Sequence, residues 1–98
     1  MWIGWLEFDI LLGDVRSLKQ KRSAIRPIIA ELQRRFAVSA AETGAQDLHR
    51  RTNVGIGVVS ADRGHVVDVL DAAERLVAAR PEVELLSVRR GLRRSSDD

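Results

Sequence analysis

The chain has 98 residues, 45% apolar and 31% charged, enough apolar material for one core and too much for an intrinsically disordered chain. It contains no cysteine, which removes disulfides, thiolate metal sites and cysteine nucleophiles and suits a reducing, cytoplasmic setting. Formal charge is only +2, so neither a strongly basic nor a strongly acidic partner follows from the overall balance.

From Trp2 to Leu12 the residues alternate, with Gly4, Leu6, Phe8, Ile10 and Leu12 on one face and Ile3, Trp5, Glu7, Asp9 and Leu11 on the other, which predicts a strand. Glu7 and Asp9 also interrupt the apolar run, and no basic leader precedes it, so export and membrane insertion are not expected. Gly13 and Asp14 end the strand. Ser17, with Gln20 three residues later, has the form of a capping box. Leu18, Ile25, Ile28, Ile29, Leu32 and Phe36 then share one helical stripe, which carries a helix to about Phe36. Pro27 is expected to kink it or weaken its first turns, because proline cannot donate to the carbonyl of residue 23.

A short strand is expected over Val38 to Glu42 and a stronger one over Thr52 to Ser60, with Val54, Ile56 and Val58 facing inward. The polar connection from Thr43 to Arg51 is the expected mobile segment. Asp62 is placed to cap a second helix with Val66, Val69, Leu70, Ala73, Leu76 and Val77 on its apolar side, stopped by Pro81. Val83 to Val88 is the last expected strand. The order βαββαβ predicts an α+β, ferredoxin-like domain over 1–92, with a four-stranded antiparallel sheet, both helices on one face and the other face open. Residues 93–98 read as a disordered tail. The expected core is Leu6, Phe8, Ile10, Ile25, Ile29, Leu32, Val54, Ile56, Val58, Leu70, Leu76, Leu86 and Val88.

The run from Arg16 to Arg22 (RSLKQKR) and the helix ending in Arg34, Arg35 and Phe36 resemble the YlxP-like family of small bacterial proteins, a domain of unknown function. So do Ala41-Glu42, Gln46-Asp47-Leu48, the segment Val54 to Ser60 and the group Asp62, Arg63 and His65, in that order. The resemblance covers about the first 90 residues. It implies a ferredoxin-like fold and no particular activity. Because such proteins are commonly encoded beside translation initiation and ribosome-maturation factors, it also implies a place in ribosome assembly.

Seven cations lie between Arg16 and Arg35 (Arg16, Lys19, Lys21, Arg22, Arg26, Arg34 and Arg35) against one anion, Glu31. Lys19, Arg22 and Arg26 form a stripe beside the apolar face. Like charges at this spacing cost a helix roughly 0.2–0.5 kcal/mol per pair, and cations near its N-terminus about 0.3–1 kcal/mol each. A bound anion such as an RNA phosphate would offset both penalties. The expected RNA- or anion-binding set is Arg16, Lys19, Lys21, Arg22 and Arg26, with Arg50 and Arg51. Lys21 is unusual, since its phase puts it inside the apolar stripe. The competing expectation is a solvated basic face on which Lys21 snorkels and Asp14 or Asp47 neutralises its neighbours.

Glu7 and Asp9 have the spacing of an acid and base pair, although a surface pair answered by Arg89 is the better reading. His49 and His65 lack metal-ligand spacing. Gly55 and Gly57 fall inside a strand rather than in the strand-to-helix turn that a dinucleotide site needs. Trp5 alone on the open sheet face does not support base stacking. Acylphosphatase shares the fold and holds phosphate with an arginine after the first strand, but the glycine-rich cradle is missing here, and Asn53 begins a strand.

The preferred expectation is therefore a non-enzymatic accessory factor of ribosome assembly or translation, without a cofactor. Its partners would be ribosomal RNA or an assembly intermediate, and not a membrane. The alternatives are a self-associating interaction module, pairing as a homodimer through Ile3, Trp5, Leu11 and Val59, and an acylphosphatase-like enzyme.

Overall fold

The computed structural model describes residues 1–96. Its elements run β1 (Trp2–Leu12), α1 (Leu18–Phe36), β2 (Ser39–Gly44), β3 (Arg51–Ser60), α2 (Arg63–Ala78) and β4 (Val83–Arg94). The strands form one sheet in the order β2-β3-β1-β4 with every neighbouring pair antiparallel, the expected α+β, ferredoxin-like arrangement. The period-2 pattern decides which side of the sheet is covered. Leu6, Phe8, Ile10 and Leu12 of β1 and Val54, Ile56 and Val58 of β3 are buried beneath the helices. Alternate residues face the open side.

The Ser17 hydroxyl accepts from the Gln20 amide at 3.1 Å, as a capping box requires. The Gln20 side chain takes the Arg16 amide at 2.7 Å instead of the Ser17 amide, so the box is displaced by one residue. α1 continues through Pro27. Ser23 and Pro27 are both exposed, so water can reach the carbonyl that proline leaves without a donor. The buried stripe is Lys21, Ile25, Ile28 and Leu32, with Ile29 half-buried beside it. Asp62 caps α2 through a 2.9 Å bond from the Gly64 amide. α2 buries Val66, Val69, Leu70, Ala73 and Val77 and crosses β1 at Gly4, where a Cβ would run into Val66.

β4 corrects two expectations. A register shift opposite Asp9 and Ile10 sets Ser87 against Asp9 and Leu85 against Ile10, leaving Leu86 as the extra residue of a bulge. The bulge reverses the alternation. Val83 and Leu85 point inward before it, and Val88 and Leu92 after it, whereas Leu86 is 43% exposed, so Leu86 is not a core residue. The strand also continues past residue 92, with Arg93 paired to Ile3 and Arg94 to Trp2. The Ser95 amide then donates to the Met1 carbonyl at 2.8 Å. The disordered tail expected from 93 therefore does not begin there, and its last two positions, 97–98, lie outside the described residues. Among the described residues, no helix is long and apolar enough to cross a membrane.

Candidate functional site

The helical phase that places Lys21 among apolar residues buries it to 2% of its exposure. It does not snorkel. Its ammonium meets Glu42 at 3.1 Å and donates to the Ala45 carbonyl at 2.5 Å. Glu42 also accepts from the buried Thr52 hydroxyl at 2.8 Å. Ala45 holds a left-handed backbone (φ 57°), which costs a non-glycine residue roughly 1 kcal/mol or more, and its carbonyl is the one that Lys21 engages. The group ties the start of α1 to the end of β2 and the start of β3. It removes Lys21 from the expected anion-binding set, because the ammonium is occupied and shielded. Asp14, one of the two acids expected to neutralise the neighbouring cations, pairs with Arg16.

Arg51 is a second correction. Its guanidinium chelates Asp9 at 2.7 and 2.9 Å. Arg51 and Asp9 occupy positions of β3 and β1 that face the open side of the sheet, away from α1. Arg16 pairs with Asp14 at 3.2 Å, both about 80% exposed, an arrangement worth little in water. Arg50 stays beside the start of α1, its Nε donating to the Gly13 carbonyl at 3.0 Å. Lys19, Arg22 and Arg26 are exposed, and among the described residues none of their side chains has an ion pair or hydrogen bond. Arg22 borders a polar cleft of about 280 Å³ lined also by Leu18, Lys21, Glu42, Gln46 and Asp47. Three of the segments that carry the family resemblance meet at this cleft.

On the open face, Glu7 accepts from Thr43 at 2.7 Å and from Arg89 at 2.6 Å. The Thr43 bond first, then the Arg89 bond, hold its carboxyl below the ordinary carboxylate value. Glu7 and Asp9 are thus each committed to an arginine; Arg89 answers Glu7 as the sequence favoured, whereas Asp9 is answered by Arg51. His49 and His65 are exposed, and no group of three or more His, Cys, Asp or Glu side chains among the described residues has a metal-binding arrangement. Trp5, Val59 and Ile3 are 42%, 61% and 37% exposed, and Leu11 is half-buried. The Trp5 ring lies over Gly91, where a Cβ would meet its indole nitrogen. On the other side of Trp5, a trough of about 410 Å³ has Gly55 and Gly57 in its floor and Ser39, Ala41 and Thr43 along β2.

Ala45 and Thr52 carry no functional expectation from the sequence, and Glu42 enters there only through the family resemblance, not as a partner of Lys21. One signal pointed to them: a lysine in an apolar stripe requires a carboxylate from the facing layer, and Glu42 alternates with the half-buried Ala40 on the helix side of β2.

The sheet, its two helices and the buried lysine at their junction define a small ferredoxin-like α+β protein. The family described as "Protein of unknown function (DUF503)" matches residues 3–90, and the chain belongs to it. "Uncharacterized protein YlxP" of Bacillus subtilis (strain 168) is 35% identical over 82 residues, covering 84% of this chain and 89% of that protein. Among solved structures, a mutant of SnoaB, a cofactor-independent oxygenase from Streptomyces nogalater, aligns with a TM-score of 0.49 at 11% identity, over 99% of this chain and 95% of that one.

Proposed function

We propose that the protein is a non-enzymatic accessory factor of ribosome assembly or translation that contacts RNA phosphates through α1. The observation that carries this reading is the sorting of the basic residues. Lys21 is committed to a buried pairing with Glu42 and Arg51 to Asp9 on the open face of the sheet, while Lys19, Arg22 and Arg26 stand exposed and, among the described residues, unanswered along about 10 Å of helix axis. Arg16 and Arg50 flank the same end of α1, and the exposed Arg16–Asp14 pair exchanges its carboxylate for a phosphate at little cost. The ribosomal setting is what the family resemblance implies.

Contacts of this kind read the backbone and carry little sequence preference. Three neutralised phosphates give a slope of log affinity against log salt of about −2.7 on a duplex and about −2 on a single strand. The test is a salt series of binding to a structured ribosomal RNA fragment. Lys19→Glu with Arg22→Glu should abolish binding and leave the circular dichroism spectrum unchanged, since both side chains lie outside the buried stripe.

A further inference from the structure

We infer that two copies of this chain pair face to face through the open side of the sheet, the Trp5 of each set against the glycine-floored trough of the other. This surface lies on the far side of the sheet from α1 and is independent of the RNA reading. Three large apolar side chains, Ile3, Trp5 and Val59, are more than a third exposed on it, more than a soluble monomer usually gathers on one face. Leu86 joins them at the bulge, 43% exposed.

Size, charge and shape select a second copy as the occupant. Strands of 11, 6, 10 and 12 residues, at about 3.4 Å per residue and about 4.8 Å between strands, present a face of about 640 Å². Two such faces bury about 1,300 Å², within the range of stable protein pairs. The acids at the centre of the face are already matched within the same copy, Glu7 by Arg89 at 2.6 Å and Asp9 by Arg51 at 2.7 Å, and Glu84, opposite Leu11 on the edge strand, stays at the rim in water, so pairing around Trp5 strands no unpartnered charge. The face also contains both halves of a fit. Trp5 leans over Gly91 and leaves the space above Gly57 open, and a two-fold axis near Trp5 sets each ring into the other copy's opening, as an isologous contact requires.

Gly57 supplies the decisive variant. Its φ is not positive, and a Cβ there would meet nothing within 4 Å, so a lone copy accommodates Gly57→Leu while the pair does not. Light scattering after size exclusion should give the wild type the mass of two chains. Gly57→Leu should raise the dissociation constant at least about tenfold with an unchanged circular dichroism spectrum. Val59→Glu, at an exposed side chain outside the core, serves as the second variant should Gly57→Leu fail to fold. A dimer that survives both variants, or a wild type of single-chain mass at high concentration, overturns the inference. A monomer whose trough takes up a hydrophobic fluorophore displaced by Gly57→Leu also overturns it, and makes the trough a small-molecule site.

Discussion

Lys21 and Lys19 are two residues apart in one basic run, yet burial gives them opposite roles. Lys21→Met leaves the Ala45 carbonyl without its donor and Glu42 with only Thr52, so it should cost about 2–4 kcal/mol. Lys19→Met should stay within about 0.5 kcal/mol. Urea denaturation midpoints distinguish the two, and equal midpoints would contradict the buried pairing. The phase of Lys21 was legible in the sequence, whereas its partner was not, because choosing Glu42 requires the register of β2 against β3. Glu7 carries a pH signature. Its folded pKa lies below the ordinary value of 4.5, so the unfolded chain binds the proton more readily. Its contribution to stability is complete above about pH 4.5 and is lost as pH falls through the lowered folded value. Glu7→Gln should flatten the acid limb of a stability-against-pH curve, and an unchanged limb would show that the Thr43 and Arg89 bonds do not form in solution.

The inner strands and both helices followed from apolar periodicity and caps, since β1, β3, α1 and α2 each bury one continuous stripe. β4 did not, because nothing in the run from Leu85 to Arg94 marks the residue at which alternation reverses. The bulge therefore predicts a contrast between neighbours. Leu85→Ala should destabilise by about 1–3 kcal/mol, and Leu86→Ala by less than about 0.5 kcal/mol in a single copy, which thermal unfolding of the monomeric Gly57→Leu background would read. Equal losses would contradict the register. Arg93 and Arg94 read as a solvated tail because only Ser and Asp follow them in sequence. Their partners come from the far end of the antiparallel pair, where Arg94 lies 5.8 Å from the Trp2 ring centre on which Arg63 also stacks at 5.7 Å.

Across the molecule, the sheet separates two surfaces of different chemistry. On the helix side, α1 presents Lys19, Arg22 and Arg26 without counter-charges. On the open side, Glu7 and Asp9 are matched by Arg89 and Arg51 around exposed apolar side chains. The proposed RNA contact on α1 and the inferred pairing through the sheet therefore do not compete, and a pair formed this way would carry its two basic helices on opposite outer sides. The proposed function rests on the first surface. Its most direct test is the affinity of the wild type and of the Lys19→Glu, Arg22→Glu double variant for a structured ribosomal RNA fragment across a salt series. The account predicts a wild-type slope of about −2 to −2.7 and no measurable binding by the folded double variant. Wild-type binding that ignores salt, or survives the double reversal, would contradict it.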